Sequence, residues 1–439
     1  MLLYRLLSGL ALLVYSPWAL LRSLTGRRKL GDLKGRLGLS AWPDLDQGIW
    51  VHAVSVGEVG VARNLLAELS RRLPGTRLGL SVTTAAGRDA ARRLAREGIA
   101  VFSFPLDLAG PVEKALAAVR PGLILLTETE IWPLLLDRAA ARGIPVALVN
   151  GRISPRSFRR YLLVRRWFAR VLAGVAVFAM QSGEDGDRIT QLGASSDRVL
   201  VTGNIKYDVP PPATFADASR LTATAAGRAI LVAASTGEGE EAIVLDAWKG
   251  LVPRPLLVIA PRRPERFDEV ARLVERSGFT MIRRSSPGAP LNSQLSTLNS
   301  PPDVYLLDSI GELAALYRHA FLAFIGGSLV TTGGHNPIEA WAEGVAVIVG
   351  PHTQNIREIA ASGERLGILE RVGGEQELAR AFARAVEDPA SAALRGERAR
   401  RFVSESRGAA ARTADAVEKL LGSASSARSL SRAPGAALP

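Results

Sequence analysis

Cysteine is absent from the 439-residue chain, and histidine occurs only four times. Without cysteine the protein has no disulfide bond, no thiolate nucleophile and no cysteine-ligated metal site. The histidines, at positions 52, 319, 335 and 352, show no spacing typical of metal ligands, so we expect no metal site. Acidic residues are in the minority, because 55 Lys and Arg against 42 Asp and Glu give a formal net charge of +13. Such an excess suits a nucleic acid, an anionic membrane surface or a phosphorylated ligand.

The N-terminus has an uncharged stretch, residues 6–21, between Arg5 and Arg22. As a helix it would reach roughly 24 Å, which is short of the ~30 Å hydrocarbon core of a bilayer. Arginines and lysines follow it, in place of the cleavage site of a secretory signal. We expect residues 1–22 to form a retained membrane-anchor helix and residues 23–48 a basic linker; a cleaved signal peptide or a buried core helix is the alternative. The positive-inside rule then predicts that the rest of the chain lies in the cytoplasm.

After the anchor, short apolar runs typical of strands alternate with helix-like segments. Continuous apolar strands predict parallel sheets covered by helices on both faces, which is an α/β fold. The alternation stops at Val209-Pro210-Pro211-Pro212 and restarts at Ala229. We therefore predict two Rossmann-like domains, 49–208 and 229–421, joined by a linker at 209–228 and separated by a cleft at the carboxyl ends of their strands. From their composition, residues 285–303 are predicted to be a surface insertion and residues 422–439 a disordered tail.

The same turn follows the first strand of each predicted domain. Ser55-Val56-Gly57-Glu58 and Ser235-Thr236-Gly237-Glu238 share the pattern Ser-x-Gly-Glu. At the start of a helix this pattern forms a capping box, in which the serine and the glutamate satisfy the first unpaired amides. Each turn is therefore either a structural capping box or part of a functional site in the cleft between the predicted domains.

A glycine-rich loop follows a strand-like run in the second domain. Gly326-Gly327-Ser328 ends the run, and Gly333-Gly334-His335 leads into Asn336-Pro337-Ile338-Glu339. Asn336 is predicted to be the N-cap of a helix, with Pro337 as the first helical residue and Glu339 three residues after the cap. Glycines on both sides leave such a helix end open to a phosphate held by backbone N–H groups. A capped helix that binds nothing is the alternative.

Taken together and in order, the motifs resemble the 3-deoxy-D-manno-octulosonic acid (Kdo) transferases of lipopolysaccharide synthesis. The resemblance covers about residues 1–400. It rests on the hydrophobic N-terminus, the first Ser-x-Gly-Glu turn, the glycine loop, Glu128-Thr129-Glu130-Ile131-Trp132-Pro133, Gly203-Asn204-Ile205-Lys206-Tyr207-Asp208 and Ala260-Pro261-Arg262. It implies a GT-B-type architecture, with two Rossmann-like domains facing each other across a cleft. It also implies inverting, metal-independent transfer of Kdo from CMP-Kdo to the lipid A precursor, lipid IVA, without a cofactor, on the cytoplasmic face of the bacterial inner membrane.

The resemblance further implies roles for individual residues. Glu58 would be the general base that deprotonates the acceptor hydroxyl, although a helix N-terminus lowers basicity unless burial or a neighbouring carboxylate offsets it. Four residues would bind the acceptor, namely Glu128, Glu130, Arg152 and Arg156. Twelve would bind the donor, namely Lys206, Ser235, Thr236, Pro261, Arg262, Gly327, Ser328, Gly333, Gly334, His335, Asn336 and Glu339. Gly237 and Arg263 depart from the family pattern, in which we expect histidine at both positions.

Residues 152–170 combine seven arginines with aromatic and leucine side chains. This composition is typical of a basic amphipathic site for a membrane surface or a lipid phosphate, with a plain solvated helix face as the alternative. The two Asp-x-Asp triplets, Asp44-Leu45-Asp46 and Asp185-Gly186-Asp187, are interpreted as solvated turn residues and not as a nucleotide–metal site.

Two other functions stay open at this point. One is a GT-B enzyme that uses a different nucleotide-sugar, because the fold does not fix the substrate. The other is a basic, membrane-tethered lipid-binding protein without enzymatic activity. The chain has no RRM, KH or helix-turn-helix signature, so we expect no nucleic-acid partner.

Overall fold

The computed structural model describes residues 32–286 and 301–432. The predicted anchor, residues 1–22, lies outside the described residues, as does most of the predicted insertion at 285–303. The described chain separates into two compact units. The first contains the residues up to Asp208 together with those from Ser406 onward, and the second runs from Val209 to Glu405.

The first unit is built on a parallel sheet of seven strands in the order β3-β2-β1-β4-β5-β6-β7. The strands are β1 (Ile49–Ala53), β2 (Leu78–Val82), β3 (Ala100–Ser103), β4 (Leu123–Thr127), β5 (Val146–Gly151), β6 (Val177–Met180) and β7 (Val199–Val201). The central strands β1, β2, β4 and β5 are buried along their whole length, which explains their continuous apolar sequence.

Helices cover both faces of this sheet, and each cover buries a separate apolar cluster. The helices are α1 (Leu33–Arg36), α2 (Val56–Arg72), α3 (Ala85–Arg96), α4 (Ala109–Val119), α5 (Pro133–Ala141), α6 (Pro155–Leu162), α7 (Arg165–Leu172) and α8 (Gly183–Gln191). Several of them start where the sequence offers a cap: the hydroxyl oxygens of Ser55, Thr84 and Ser182 accept the N–H of the third helical residue. Short 3₁₀ turns at Ser196–Arg198 and Ile205–Tyr207 complete the unit.

The second unit repeats the plan with a parallel sheet in the order β10-β11-β9-β8-β12-β13-β14. Its strands are β8 (Ile230–Thr236), β9 (Leu256–Pro261), β10 (Met281–Arg283), β11 (Val304–Leu306), β12 (Leu322–Ile325), β13 (Ala346–Val349) and β14 (Leu369–Arg371). Its helices are α9 (Ala218–Ala225), α10 (Glu240–Lys249), α11 (Phe267–Arg276), α12 (Leu313–Leu316), α13 (Ile338–Ala342), α14 (Arg357–Arg365), α15 (Glu375–Glu387) and α16 (Pro389–Ser406), with 3₁₀ turns at Pro264–Arg266, Tyr317–His319 and Gln354–Ile356. Helix α9 lies inside the predicted linker, residues 209–228, which therefore belongs to this unit.

The last helix, α17 (Ala409–Arg432), corrects the predicted domain limits, because it belongs to the first unit and not to a second domain ending at residue 421. The Asp208 carboxylate accepts the backbone N–H groups of Gly408 and Ala410 at 2.6 and 2.5 Å, which ties the start of α17 to the end of the first unit's main segment. Buried side chains of α17, including Ala414 and Val417, join the same apolar cluster as α2. The helix also includes residues 422–432, which the sequence analysis assigned to a disordered tail. Among the described helices, none is both long and apolar enough to span a bilayer.

Candidate active site

The carboxyl ends of β1 and β4 lie side by side in the first sheet, at the point where the strand order reverses. Doubly wound sheets bind their ligands at such a switch point. Glu58 lies here, as the third residue of α2. Its N–H faces the Ser55 hydroxyl at 3.4 Å and its carboxylate accepts the Ser55 N–H at 3.3 Å, so the capping box predicted for this turn is confirmed.

The Glu58 carboxylate is held by further donors, and the residue is only 7% exposed. Oε1 accepts the Ser55 hydroxyl at 2.8 Å, and Oε2 accepts the Val54 N–H at 2.9 Å. The Thr127 hydroxyl lies 3.0 Å from Oε2 and 2.8 Å from the carbonyl oxygen of His52, and its single proton can serve only one of them at a time. Glu58 is therefore a fixed negative group between β1 and β4.

Glu128 follows β4 with a φ of 53°, in the left-handed region that non-glycine residues seldom adopt. Its Oε1 lies 2.6 Å from Lys206 Nζ, and its Oε2 lies 3.1 Å from Arg152 Nε. Lys206, predicted to bind the donor, is thus placed in the first unit beside two predicted acceptor residues. Lys206 lies in the 3₁₀ turn Ile205–Tyr207, and the Asn150 side chain holds this turn by accepting the Ile205 N–H at 2.9 Å.

Glu130 is half-buried beside these groups. Burial, followed by the negative charges of Glu58 and Glu128, raises the pKa of Glu130 to about 7. The nearby Trp132 indole has the smallest effect and lowers the pKa of Glu130. Within the described part of the chain, the indole N–H makes no hydrogen bond of normal geometry. Glu130 can therefore both release and take up a proton near neutral pH.

A cluster of rings lies beneath the turn and includes a polar residue that the motifs did not single out. The His52 ring stacks on Phe104 at 3.7 Å between centroids, and Trp132 packs on the same phenylalanine at 5.0 Å. Burial lowers the pKa of His52 to about 3, so the ring is neutral. Its Nδ1 lies 3.0 Å from the Ser81 hydroxyl. One indication of His52 was available in the sequence, since it is a histidine inside an otherwise apolar strand.

The arginine-rich helices α6 and α7 follow β5. Their aromatic residues are not exposed together, because Tyr161 stacks on the buried Phe168 at 4.6 Å and packs with it against the core of the first unit. The apolar residues left in solvent are Leu162, Leu163 and Val164, which join the two helices and which we call the apolar turn. Leu163 is 86% exposed. Arg156, predicted to bind the acceptor, is exposed on α6.

In the second unit the predicted second capping box is wrong, because helix α10 starts four residues later than expected, at Glu240, after Gly239 in a left-handed conformation. The buried Glu240 carboxylate accepts four backbone N–H groups, which belong to Gly237, Gly327, Ser328 and Leu329, at 2.6 to 2.9 Å. The amides of Gly327 and Ser328, which we expected to receive a phosphate, are thus already paired. Sequence reasoning missed Glu240.

The glycine loop folds back onto this turn. The N–H groups of Gly334 and His335 donate to the carbonyl oxygens of Gly327 and Gly326 at 2.6 and 3.1 Å. Gly333 and Gly334 have φ values of 105° and 80°, which favour glycine. The predicted N-cap is shifted by one residue, because α13 starts at Ile338 and its cap position is Pro337; the Asn336 side chain still accepts the Ile338 N–H at 3.1 Å.

Several of the predicted donor residues meet where β8, β9 and β12 end. Arg262 follows β9, and its N–H donates to the Thr236 carbonyl at the end of β8. Burial, and then the positive charge of Arg262, lower the pKa of His335 to about 4, so this ring is neutral next to an exposed guanidinium. Glu339 is exposed on α13, and its charge contributes to raising the pKa of the buried Tyr317.

Two α/β units, each with a doubly wound parallel sheet and polar turns at the carboxyl edge, resemble the GT-B-type fold. Solved structures of this fold are similar to the chain. Staphylococcus aureus MnaA with UDP is 14% identical, with a TM-score of 0.52 over 86% of this chain and 97% of that one. Anabaena HepE with UDP is 16% identical, with a TM-score of 0.51 over 85% and 99%. At sequence identities this low, structural similarity shows that the fold is shared but does not show a shared function.

The family is given by closer relatives. The model of the 3-deoxy-D-manno-octulosonic-acid transferase (kdotransferase) family matches residues 31–209. The 3-deoxy-D-manno-octulosonic acid transferase of Bordetella pertussis is 36% identical over 399 residues, which cover 88% of this chain and 91% of that protein. The corresponding transferase of Haemophilus influenzae is 34% identical over 401 residues, with coverages of 90% and 92%. The chain belongs to the Kdo transferase family. It is a glycosyltransferase, and the non-enzymatic alternative does not hold.

Proposed function

We propose that the protein transfers Kdo from CMP-Kdo to the lipid A precursor lipid IVA, with inversion and without a metal ion. The observation that carries this proposal is membership of the Kdo transferase family over nearly the whole chain. The carboxyl groups and cations at the switch point of the first sheet support it, because a displacement at the anomeric carbon needs a carboxylate on the acceptor side.

On the acceptor side, the available groups are Glu58, Glu128 and Glu130 with Arg152 and Lys206 beside them. The carboxylates can accept the hydroxyl protons of a sugar, and the two cations can pair with a phosphate of the acceptor. The ion pairs to Glu128 hold both cations in place before the acceptor arrives. This arrangement supports a polar, phosphorylated acceptor.

On the donor side, a leaving CMP must be stabilised by protein groups if no metal does so. Arg262 supplies a full positive charge, and the neutral His335 ring can donate one hydrogen bond beside it. The glycine loop allows the nucleotide to approach the backbone closely. The Gly327 and Ser328 N–H groups already donate to Glu240. We therefore propose that Gly327 and Ser328 shape the donor site, and that Arg262 binds the phosphate of CMP.

An acylated acceptor requires the enzyme to work at a membrane. We propose that the protein lies on the cytoplasmic face of the inner membrane, with residues 1–22 as its anchor. The apolar turn supports a second contact, because exposed leucines between arginine-rich helices match an anionic bilayer surface.

The proposal is tested by incubating the purified full-length protein with lipid IVA and freshly generated CMP-Kdo. We expect the lipid to gain the mass of one or more Kdo residues, and the mass increment counts the transfers directly. UDP-N-acetylglucosamine is the control donor. A protein that leaves lipid IVA unchanged but transfers a sugar from another nucleotide would overturn the assignment of donor and acceptor.

A further inference from the structure

Arg262, which we propose to bind the phosphate of CMP, lies at the start of a turn that is held at both ends. Its N–H donates to the Thr236 carbonyl oxygen at 3.0 Å, which ties the start of the turn to the end of β8. At the other end, the Arg266 N–H donates to the Arg263 carbonyl oxygen at 3.1 Å and closes the 3₁₀ turn Pro264–Arg266. Arg262 is exposed, and within the described part of the chain it forms no ion pair, so its charge is available to a ligand.

The side chain of Arg266 holds this turn against helix α10. Its Nη1 lies 2.6 Å from Glu241 Oε1, and its Nη2 lies 3.0 Å from Glu241 Oε2, so the two groups form a bidentate ion pair. The Glu241 side chain is 1% exposed and the Arg266 side chain 12%. Nη2 also pairs with Glu269 on α11 at 3.1 Å. A buried contact at two points between a planar guanidinium and a carboxylate fixes direction as well as distance, and it therefore restrains the backbone that carries Arg266.

Glu241 follows Glu240 in the first turn of α10, and together these two residues join three turns at the carboxyl edge of the second sheet. Glu240 binds the turns after β8 and β12. Glu241 binds the turn after β9. Neighbouring residues of a helix extend about 100° apart around its axis, so the two carboxylates reach different turns. The turn that carries Arg262 is thus held to the same helix as the turn that leads into the glycine loop.

We propose that Arg266 is a positioning residue for the donor, because its ion pair with Glu241 holds the turn after β9 and so places Arg262 for the phosphate of CMP. This inference rests on the proposed function. A binding group that is already held in place loses less conformational freedom when its ligand arrives, and the ion pair therefore raises the affinity for the donor without contacting it. The guanidinium of Arg266 is buried between Glu241 and Glu269, so we assign it no contact with the nucleotide.

The test is a double-mutant cycle between Arg266 and Arg262. Arg266→Lys keeps the positive charge but loses the planar fork that matches the carboxylate. Calorimetry measures the binding of CMP to the full-length wild type, to Arg266→Lys, to Arg262→Ala and to the double variant. We expect Arg266→Lys to weaken CMP binding by about 3- to 30-fold when Arg262 is present, and to have little further effect when residue 262 is already alanine. A contact that only stabilises the fold would weaken binding by the same factor in both backgrounds.

Steady-state kinetics separate the donor from the acceptor. In Kdo transfer to lipid IVA, Arg266→Lys should raise KM for CMP-Kdo by a similar factor and leave KM for lipid IVA unchanged. Glu241→Asp keeps the charge but shortens the side chain, so it tests the same ion pair from its other partner and should give the same pattern. Arg284→Lys is the matched control, because Arg284 forms a bidentate pair with Glu312 elsewhere in the second unit and should change neither KM. Thermal unfolding of each variant identifies any loss of folding.

Two results would overturn the inference. One is a folded Arg266→Lys protein that binds CMP as tightly as wild type does. The other is an equal loss of CMP affinity with and without the Arg262 side chain, which would give the ion pair a purely structural role. A wild-type protein that does not bind CMP contradicts the proposed function instead, and the two failures are therefore distinguishable.

Discussion

The Glu240 carboxylate lies 2.6 Å from the backbone nitrogen of Gly327 and accepts its N–H. The same carboxylate accepts the N–H groups of Gly237, Ser328 and Leu329, so one buried side chain joins the turn after β8 to the turn after β12. Only glycine fits at the neighbouring Gly326, because a Cβ there would lie 2.7 Å from the Ser235 carbonyl oxygen. The shape of this edge of the second sheet therefore depends on Glu240.

Glu240→Gln is expected to destabilise the second unit. Each carboxylate oxygen serves two N–H groups, and the amide nitrogen of glutamine cannot accept either of them. We expect the free energy of unfolding to fall by about 1–3 kcal/mol for each donor left without an acceptor. Binding of CMP-Kdo should weaken as well, because the glycine loop is hydrogen-bonded to this turn.

The measurements are thermal unfolding and donor binding by calorimetry. Glu238→Gln is the matched control, since Glu238 is exposed two residues away and was the glutamate that the repeated turn pattern favoured. Equal unfolding temperatures for the two variants would contradict the structural role of Glu240.

The contrast between Glu58 and Glu240 explains what the sequence could predict here. The Ser55 box was predictable because its partners lie three residues apart, and the local pattern encodes the contact. Glu240 binds Gly327 across 87 residues of chain, and no local pattern encodes such a contact. Asp208 accepts the Gly408 N–H across 200 residues of chain, and this contact attaches α17 to the first unit. No local pattern encodes this contact either. The alternating apolar pattern predicted the two α/β units, but not which unit the last helix would pack against.

The apolar turn gives a prediction about the membrane surface. Leu163 is 86% exposed between two arginine-rich helices, so Leu163→Ser removes a side chain that can enter the bilayer interface. Insertion of a leucine contributes about 1.5–3 kcal/mol, so we expect at least about tenfold weaker binding of the full-length protein to anionic vesicles. Cosedimentation with such vesicles measures the effect. Leu394→Ser, at a leucine that is 65% exposed in the second unit, should change nothing, and equal losses in both variants would rule out a specific contact.

Transfer is expected to persist in excess EDTA. Three of the four carboxylates in the Asp-x-Asp triplets are engaged by the protein: Asp44 and Asp46 pair with Arg120, and Asp185 accepts the Ile153 N–H at 2.8 Å. Asp185 is buried, so its interpretation as a solvated turn residue was wrong. Arg262→Ala should instead weaken the use of CMP-Kdo, because Arg262 is the cation that we propose for the leaving phosphate. Initial rates with EDTA and with added Mg²⁺ are the measurement, and a strict requirement for the added ion would contradict metal-independent transfer.

Glu130 also predicts how stability varies with pH. Its pKa is about 7 in the folded protein against 4.5 for an unperturbed glutamate, so the folded state holds a proton that the unfolded state releases between these values. The stability associated with this proton is complete below about pH 4.5 and is lost as the pH rises to about 7. Glutamine cannot ionise, and Glu130→Gln should therefore lack this loss. Relative to wild type, the variant should gain up to about 3 kcal/mol between about pH 5 and pH 8. Denaturant unfolding of wild type and Glu130→Gln at about pH 5 and pH 8 measures the difference between their free energies of unfolding. Glu97→Gln is the control, because Glu97 is an exposed glutamate at the end of α3. If the difference between wild type and Glu130→Gln is the same at both pH values, Glu130 ionises freely in the folded protein.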